Sequence, residues 1–172
     1  MAKRYGPKRG SRSFWHRKRA AKLVPRMRAW SPRGKGLAGF VGYKAGMAHV
    51  VLGEDRESPF KNQEVTRAVT FLETPPVFVY SIVGYKQTEF GLQAVAEVPV
   101  TKAPKQLQLA LTVAKKPRLS LPDFEKMLEG MVQVRVMAST QPWLLALKKM
   151  PDVFEMGLAG KDAKEQFEYA KN

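Results

Sequence analysis

Residues Val69–Tyr85 read VTFLETPPVFVYSIVGY. β-Branched and aromatic side chains fill both halves, as the pleated, half-buried surface of a strand favours. Between them stands Thr74-Pro75-Pro76. Proline donates no ladder hydrogen bond and pushes the residue before it out of the helical region, so the triplet breaks any continuous element. The stretch predicts two strands, near Val65–Glu73 and Val77–Tyr85, with a hard stop between them. A turn at Lys86–Glu89 then leads to a third strand near Phe90–Val98.

Working upstream, GLAGFVGYKAGMAHVVLGED (Gly36–Asp55) has apolar stretches Leu37–Tyr43 and Met47–Leu52 on either side of Lys44-Ala45-Gly46. Gly46 can supply the positive φ of a tight turn, so a hairpin is predicted there. Residues 37–100 thus read as strands and hairpins. Downstream, residues 101–172 read as mixed α and β. KQLQLALTVAKK (Lys105–Lys116) fits a helix, while its Gln-Leu alternation fits a strand as well. In SLPDFEKMLEG (Ser120–Gly130), Ser120 can cap, Pro122 sits in the first turn, Phe124, Met127 and Leu128 share a face and Gly130 stops the helix. MVQVRVMAST (Met131–Thr140) alternates with period two, DVFEMGLAG (Asp152–Gly160) holds a short strand, and KDAKEQFEYAKN (Lys161–Asn172) begins a helix. No internal repeat or low-complexity tract is present.

Charge separates the rest of the chain from its beginning. The 172 residues are 44% hydrophobic, near the globular norm, and carry a formal net charge of +15 from 30 basic and 15 acidic residues. Thirteen of the basic residues, and none of the acidic ones, lie in residues 1–36; the remaining 136 residues are nearly neutral, at +2. A neutral body with a cationic arm implies a polyanionic partner. Cysteine is absent, which excludes a disulfide framework, thiolate chemistry and a zinc knuckle. The longest apolar run, around Val77–Tyr85, is strand-sized, well short of the roughly 18 residues of a membrane span. A transit peptide is also Arg-rich, but Pro7, Pro25 and Pro32 interrupt the amphipathic helix it needs. The arm also lacks the sustained apolar face of a membrane-surface helix.

The arm is GPKRGSRSFWHRKRAAKLVPRMRAWSPRGKG (Gly6–Gly36) preceded by five residues. Such a density of cations cannot be buried, because each unpaired buried charge costs several kcal/mol. Simple charge runs are usually solvated tails. Three features argue otherwise here. Arg outnumbers Lys eight to five, and its planar fork suits bidentate phosphate contacts. Tyr5, Phe14, Trp15, His16 and Trp30 are interleaved with the charges, and unpaired bases stack on such rings for roughly 1–3 kcal/mol each. Gly and Pro punctuation gives an irregular path that suits a winding RNA better than the regular groove of duplex DNA; only Ser13–Met27 could hold a short helix or ordered turn. The arm is expected to order on contact with phosphate. Eight phosphate contacts would give a log-affinity against log-salt slope of roughly −6 to −7.

Catalysis has little to work with. His16 and His49 are the two histidines. Glu54 and Asp55 are adjacent and point to opposite faces of any strand, so they read as part of a solvated turn with Arg56 and Glu57 rather than as a metal pair with His49. Gly34-Lys35-Gly36 lacks phosphate-loop spacing, and no GxSxG elbow occurs. No enzyme, metal or cofactor is predicted. A basic nucleoid-type protein that compacts nucleic acid non-specifically is the alternative that shares the arm. Trp143 with Leu144, Leu145 and Leu147 reads as packing, and Lys148 and Lys149 could brush a phosphate backbone.

Several segments carry a resemblance: GPKRGSRSFWHRKRA, PRMRAW, GFVGYKAGMAHVV, VTFLETPPVFVYSIVGY, FGLQAVAEV, VQVRVMASTQP and FEYAKN. In this order, across nearly the whole chain, they resemble the archaeal and eukaryotic branch of the large-subunit ribosomal protein L-three family. The resemblance implies a mainly β fold with an α+β insertion: part of a translation-protein-type β-barrel plus an extended basic N-terminal arm. It divides the chain into the arm (1–36), barrel strands and hairpins (37–100) and a mixed α/β inserted portion (101–172). It implies a structural constituent of the large subunit, at work in the cytoplasmic ribosome. Its partners would be large-subunit rRNA and neighbouring ribosomal proteins, and it would support assembly near the peptidyl-transferase region. Arg4, Lys8, Arg9, Ser11 and Arg12 match the family's basic extension, and Trp15, Arg17, Lys18, Arg19, Arg26, Arg28 and Trp30 its continuation. Lys44 and His49 match the hairpin that opens the barrel. With Lys22, Arg33 and Lys35 from the charge pattern of the arm, these are the candidate RNA-binding residues.

Two departures stand out. Ala48 occupies a position where the family commonly has Thr. Members of this branch are also about twice as long; the part that follows EYAKN in them holds a Gly-, Lys-, Arg- and His-rich loop and the remaining barrel strands. The chain therefore looks like an N-terminal half, split or truncated, and half a barrel would expose open edges. A companion chain carrying the C-terminal half is expected.

Overall fold

The computed structural model of the protein describes residues 18–30, 34, 36–113 and 117–171. It is mainly β. Six strands are formed, β1 (Tyr43–Gly53), β2 (Glu64–Glu73), β3 (Val77–Thr88), β4 (Gly91–Pro99), β5 (Gln133–Thr140) and β6 (Val153–Gly157), with helices α1 (Leu121–Met127) and α2 (Ala163–Lys171). β1 and β2 make a two-stranded ribbon; the other four form an antiparallel sheet in the order β4-β3-β5-β6. Among the described residues the strands close no barrel, and the larger sheet takes strands from both sides of residue 100.

The proline break stands as the sequence predicts. β2 ends at Glu73, Pro75 is buried, and β3 opens at Val77 in the other sheet. The Lys44-Ala45-Gly46 hairpin does not form. β1 runs straight through these residues, and its antiparallel partner is β2, with Lys44 opposite Leu72 and Gly46 opposite Phe71. Gly46 has no positive φ. Ala45 is instead an extra residue in the ladder, a bulge, which keeps the strand continuous. The turn that reverses the chain is the loop 54–63, closed by Glu54 N–H to the Gln63 carbonyl (3.0 Å) and Asn62 N–H to the Glu54 carbonyl (2.8 Å), with Asn62 at φ 64°. Within Leu37–Tyr43, Leu37 forms a lone antiparallel bridge to Leu158. β3 also outlasts its predicted end, and the turn into β4 falls at Glu89-Phe90.

Register fixes what each face of the larger sheet carries. Ile82, Gly84, Ala96, Val98, Val134, Val136, Ala138, Phe154 and Met156 are cross-strand partners on one face. There they form the core with Phe124 of α1 and Phe167 of α2, whose rings stack at 5.2 Å. Gly84 leaves room for this packing: a Cβ there would overlap Met131 Sδ and stand 3.0 Å from Phe124 Cζ, so the Met131 side chain would have to move. α2 buries Ala163, Gln166 and Phe167, the helical i, i+3, i+4 spacing. The buried Gln166 carboxamide accepts from Val134 N–H (2.8 Å) and donates to the Gly160 carbonyl (3.1 Å). α1 is shorter than its signal. It tightens into a 3-10 turn at Leu128–Gly130, so Phe124 and Leu128 are buried while Met127 is 40% exposed. Ser120 makes no cap bond to the backbone; its hydroxyl donates to Asp123 instead (2.6 Å). Lys105–Lys116 is neither helix nor strand over its described part: a 3-10 turn at Lys105–Leu109 buries Leu107 and is followed by irregular chain.

Phe124 and Phe167 are the largest fully buried side chains, at 0% and 1% exposure. Replacing Phe124 with Ala should cost about 3–5 kcal/mol, read as a lowered denaturant midpoint at unchanged m-value.

Candidate nucleic-acid interface

The sheet's second face is polar. Val83, Tyr85, Glu97, Gln133, Arg135, Met137, Glu155 and Gly157 share it by register. A charge sits at its centre. Arg135 is 3% exposed, a place where an unpaired cation would be costly. Its guanidinium donates to Glu155 Oε1 (3.2 Å) and, through Nε and Nη2, to Gln133 Oε1 (3.2 and 2.9 Å). It also lies over the Tyr85 ring at 4.5 Å, a cation–π contact. Tyr85 in turn donates its hydroxyl to Glu155 (2.6 Å), and burial together with that carboxylate pushes its pKa up to about 12.

Onto this face comes the root of the arm. Arg135 Nη2 donates a further bond, 3.2 Å long, to the backbone carbonyl of Arg28. Two residues on, the Trp30 indole lies over Gly157, where a Cβ would stand 2.6 Å from Trp30 Cγ, and touches Gly39, where a Cβ would stand 3.4 Å from Cζ3. The two glycines make the slot for the ring. The Trp30 Nε1–H is enclosed and finds no acceptor among the described residues. Past the slot, Ala38 N–H donates to the Gly157 carbonyl (2.9 Å) and Ala159 N–H to the Gly36 carbonyl (2.8 Å), so the chain is bridged to the C-terminal end of β6.

The candidate residues divide accordingly. Lys18, Arg19, Lys22, Arg26 and Arg28 are all exposed, on chain that has no helix from Lys18 to Met27. Val24 packs partly against the core and Trp30 is half-buried against the body. Arg4, Lys8, Arg9, Ser11, Arg12, Trp15, Arg17, Arg33 and Lys35 lie outside the described residues, as does His16. Lys44 and His49 are exposed on β1. They are five apart in sequence, which would set them on opposite faces of a regular strand. The bulge at Ala45 corrects the parity. Lys44 pairs with Leu72 and His49 with Ala68, two β2 residues of one face, so both join Met47 and Val51 on that side of the ribbon. Sequence reading missed Arg135 and Glu155 as parts of this interface. Their signal was a charge on the polar parity of an otherwise apolar strand.

A second cluster ties the ribbon to the sheet. The Tyr43 hydroxyl donates to Asp152 Oδ2 (2.5 Å) and lies 2.7 Å from Thr140 Oγ1; Lys148 pairs with Asp152 and sits over the Tyr43 ring. Burial first, and then the Asp152 bond, push the Tyr43 pKa up to about 12. Lys148 is thus engaged within the protein, whereas Trp143 is half-buried and Leu144, Leu145 and Leu147 are exposed. At the far end of the ribbon, Asp55, Arg56 and Glu57 lie exposed in the reversing turn as expected, but the Glu54 side chain does not. It is 7% exposed, closed in by its own loop, and paired with Arg67 of β2. No group of three or more metal-ligating side chains occurs among the described residues, and no helix among them is long and apolar enough to cross a membrane.

The full sequence, residues 1–172, matches the profile of ribosomal protein L3. The chain belongs to the ribosomal protein L3 family. Its relatives include large ribosomal subunit protein uL3 of Archaeoglobus fulgidus, 42% identical over 98% of this chain, and that of Methanococcus vannielii, 41% identical over 99%. The uL3 protein of Methanothermobacter thermautotrophicus is 39% identical over 99%. In each case the match covers 52% of the relative, so this L3 chain spans about half the length of the proteins it matches.

The Arg67 hydrogen bond holds the Glu54 carboxyl below its ordinary value of 4.5. A depressed carboxylate stabilises the fold above its unfolded pKa and loses that contribution as pH falls through the folded value. Arg67→Ala should therefore lower the melting temperature at neutral pH, with the gap to the parent protein closing on acidification below the ordinary carboxylate range.

Proposed function

We propose that this chain is a structural constituent of the large ribosomal subunit, working in the cytoplasmic ribosome by binding large-subunit rRNA and supporting assembly near the peptidyl-transferase region. It does no catalysis and takes no cofactor. The observation that carries this reading is the cationic arm set on a near-neutral L3 body: exposed Lys18, Arg19, Lys22, Arg26 and Arg28 beside a segment, residues 1–17, that adds six more basic residues and no acidic one. The extended arm supplies the phosphate contacts, with Arg4, Lys8, Arg9, Ser11, Arg12, Trp15, Arg17, Arg33 and Lys35 continuing the basic track. Lys44 and His49 add a contact from the ribbon. Trp30 acts here as an anchor to the body. The body docks as a protein block among neighbouring ribosomal proteins.

The ribbon supports a further part of this reading. Two strands alone are marginal in water, yet β1 and β2 leave Met47 62%, Val51 59%, Phe71 52% and Leu72 62% exposed. Relatives are twice as long as this chain. The ribbon is therefore part of a translation-protein-type barrel, completed by a companion polypeptide carrying the C-terminal half, while the four-stranded sheet and its helices are the α+β portion. The second reading, a nucleoid-type compacting protein, needs only the charge and leaves the ribbon unexplained.

Replacing Arg17, Lys18 and Arg19 with Ala should impair assembly of reconstituted particles and flatten the salt slope on an rRNA transcript by about 2–3, each phosphate contact contributing about 0.7–0.9. The body's melting temperature should not move. Equal affinity for duplex DNA at the same salt would favour compaction instead. Mixed with the C-terminal half of the Archaeoglobus relative, the chain should gain hydrogen-exchange protection across Tyr43–Gly53 and Glu64–Glu73; unchanged exchange would remove the companion from the proposal.

A further inference from the structure

An RNA-binding arm that orders only on contact loses its conformational entropy at the moment of binding. The root of this arm is placed differently. Between Val24 and Trp30 it touches the body at both ends, and in the middle through a backbone carbonyl. Arg28 is the telling residue. Its carbonyl is held by the buried Arg135, while the residue as a whole stays exposed. Arg26 is exposed two positions before it. An irregular segment fixed through its main chain and its apolar side chains leaves its cations outward. We propose that Arg135 and the Gly157–Gly39 slot set Val24–Trp30 on the sheet before RNA arrives, as a preformed platform presenting Arg26 and Arg28 to phosphate. Arg135 is then a positioning residue that touches no RNA.

The chemistry of Arg135 suits that task. One guanidinium has five N–H donors in a rigid fork. Here it spends them on Glu155, Gln133 and the Arg28 carbonyl at once. A lysine could keep the charge beside Glu155 but could not span all three partners. Gly157 bears on the other anchor, since the three atoms nearest to a Cβ there would all belong to Trp30.

The inference rests on the rRNA-binding reading, and the test separates the two. In the free 172-residue chain, trypsin should cut after Arg26 and Arg28 more slowly than after Lys18, Arg19 and Lys22. Arg135→Lys and Gly157→Ala should each raise the rate after Arg26 and Arg28 about ten-fold, as local opening becomes easier. On a large-subunit rRNA transcript both variants should bind about ten-fold more weakly, the ordering being deferred to binding, with the salt slope unchanged. Arg28→Ala should instead lower the slope by about 0.7–0.9. Circular dichroism and melting check each variant's fold, and Gly157→Ala carries the test if Arg135→Lys unfolds. Cleavage in the parent chain as fast after Arg28 as after Lys22 would overturn the preformed platform. So would variants that free the root yet bind rRNA normally, or a slope reduced by Arg135→Lys. A parent chain with a protected root but no salt-dependent rRNA binding would sink the rRNA reading and leave the anchoring intact.

Discussion

The central pair of the larger sheet, β3 and β5, is hydrogen-bonded along both edges and largely buried on both faces. This constraint organises the chain. One face is apolar and takes α1 and α2, whose Phe124–Phe167 stack closes the core. The other holds a buried guanidinium, a carboxylate, a carboxamide and a phenol. A helix with an apolar stripe could not cover it. An irregular segment with a free carbonyl and a flat ring can, and the root of the arm is such a segment.

Burial of Arg135 is tolerable because each partner satisfies a different part of it. Glu155 supplies the opposing charge, Gln133 accepts from two nitrogens, Tyr85 offers its ring face, and Arg28 accepts through the main chain. Removing one partner of such a pair usually costs about 3–5 kcal/mol, because the other is left buried and uncompensated. Arg135 is thereby one of the links between the body and the arm, beside the Trp30 slot. In the described root, Arg26 and Arg28 are exposed while the Arg28 carbonyl is held by the body.

The ribbon shows the reverse condition. Its two strands pair along ten positions, and one sequence irregularity, the extra Ala45, sets which side chains share a face. Large apolar side chains remain in water on both β1 and β2. An exposed apolar surface of that kind marks an interaction site.

Strand positions from Val65 to Val98, the proline break, β5, β6 and α2 were legible because period-two and period-3.6 patterns and Pro punctuation are local signals. The KAGM turn misled because glycine permits a positive φ without requiring one, and the distant partner β2 favoured a bulge over a reversal. Lys105–Lys116 stayed ambiguous because its pattern satisfied both periods and tertiary packing needed only Leu107. Of the interface, the charge asymmetry and the exposed cations could be read from residue types, and the family from the resemblance of segments in order along the chain. That Trp30 faces glycines rather than open solvent, that Arg135 reaches back 107 positions to Arg28, and that Lys44 and His49 share a face could not. Local sequence dictates which residues dislike water and which repel one another. Only the assembled sheet, bringing distant segments within hydrogen-bond reach, decides where those preferences are met.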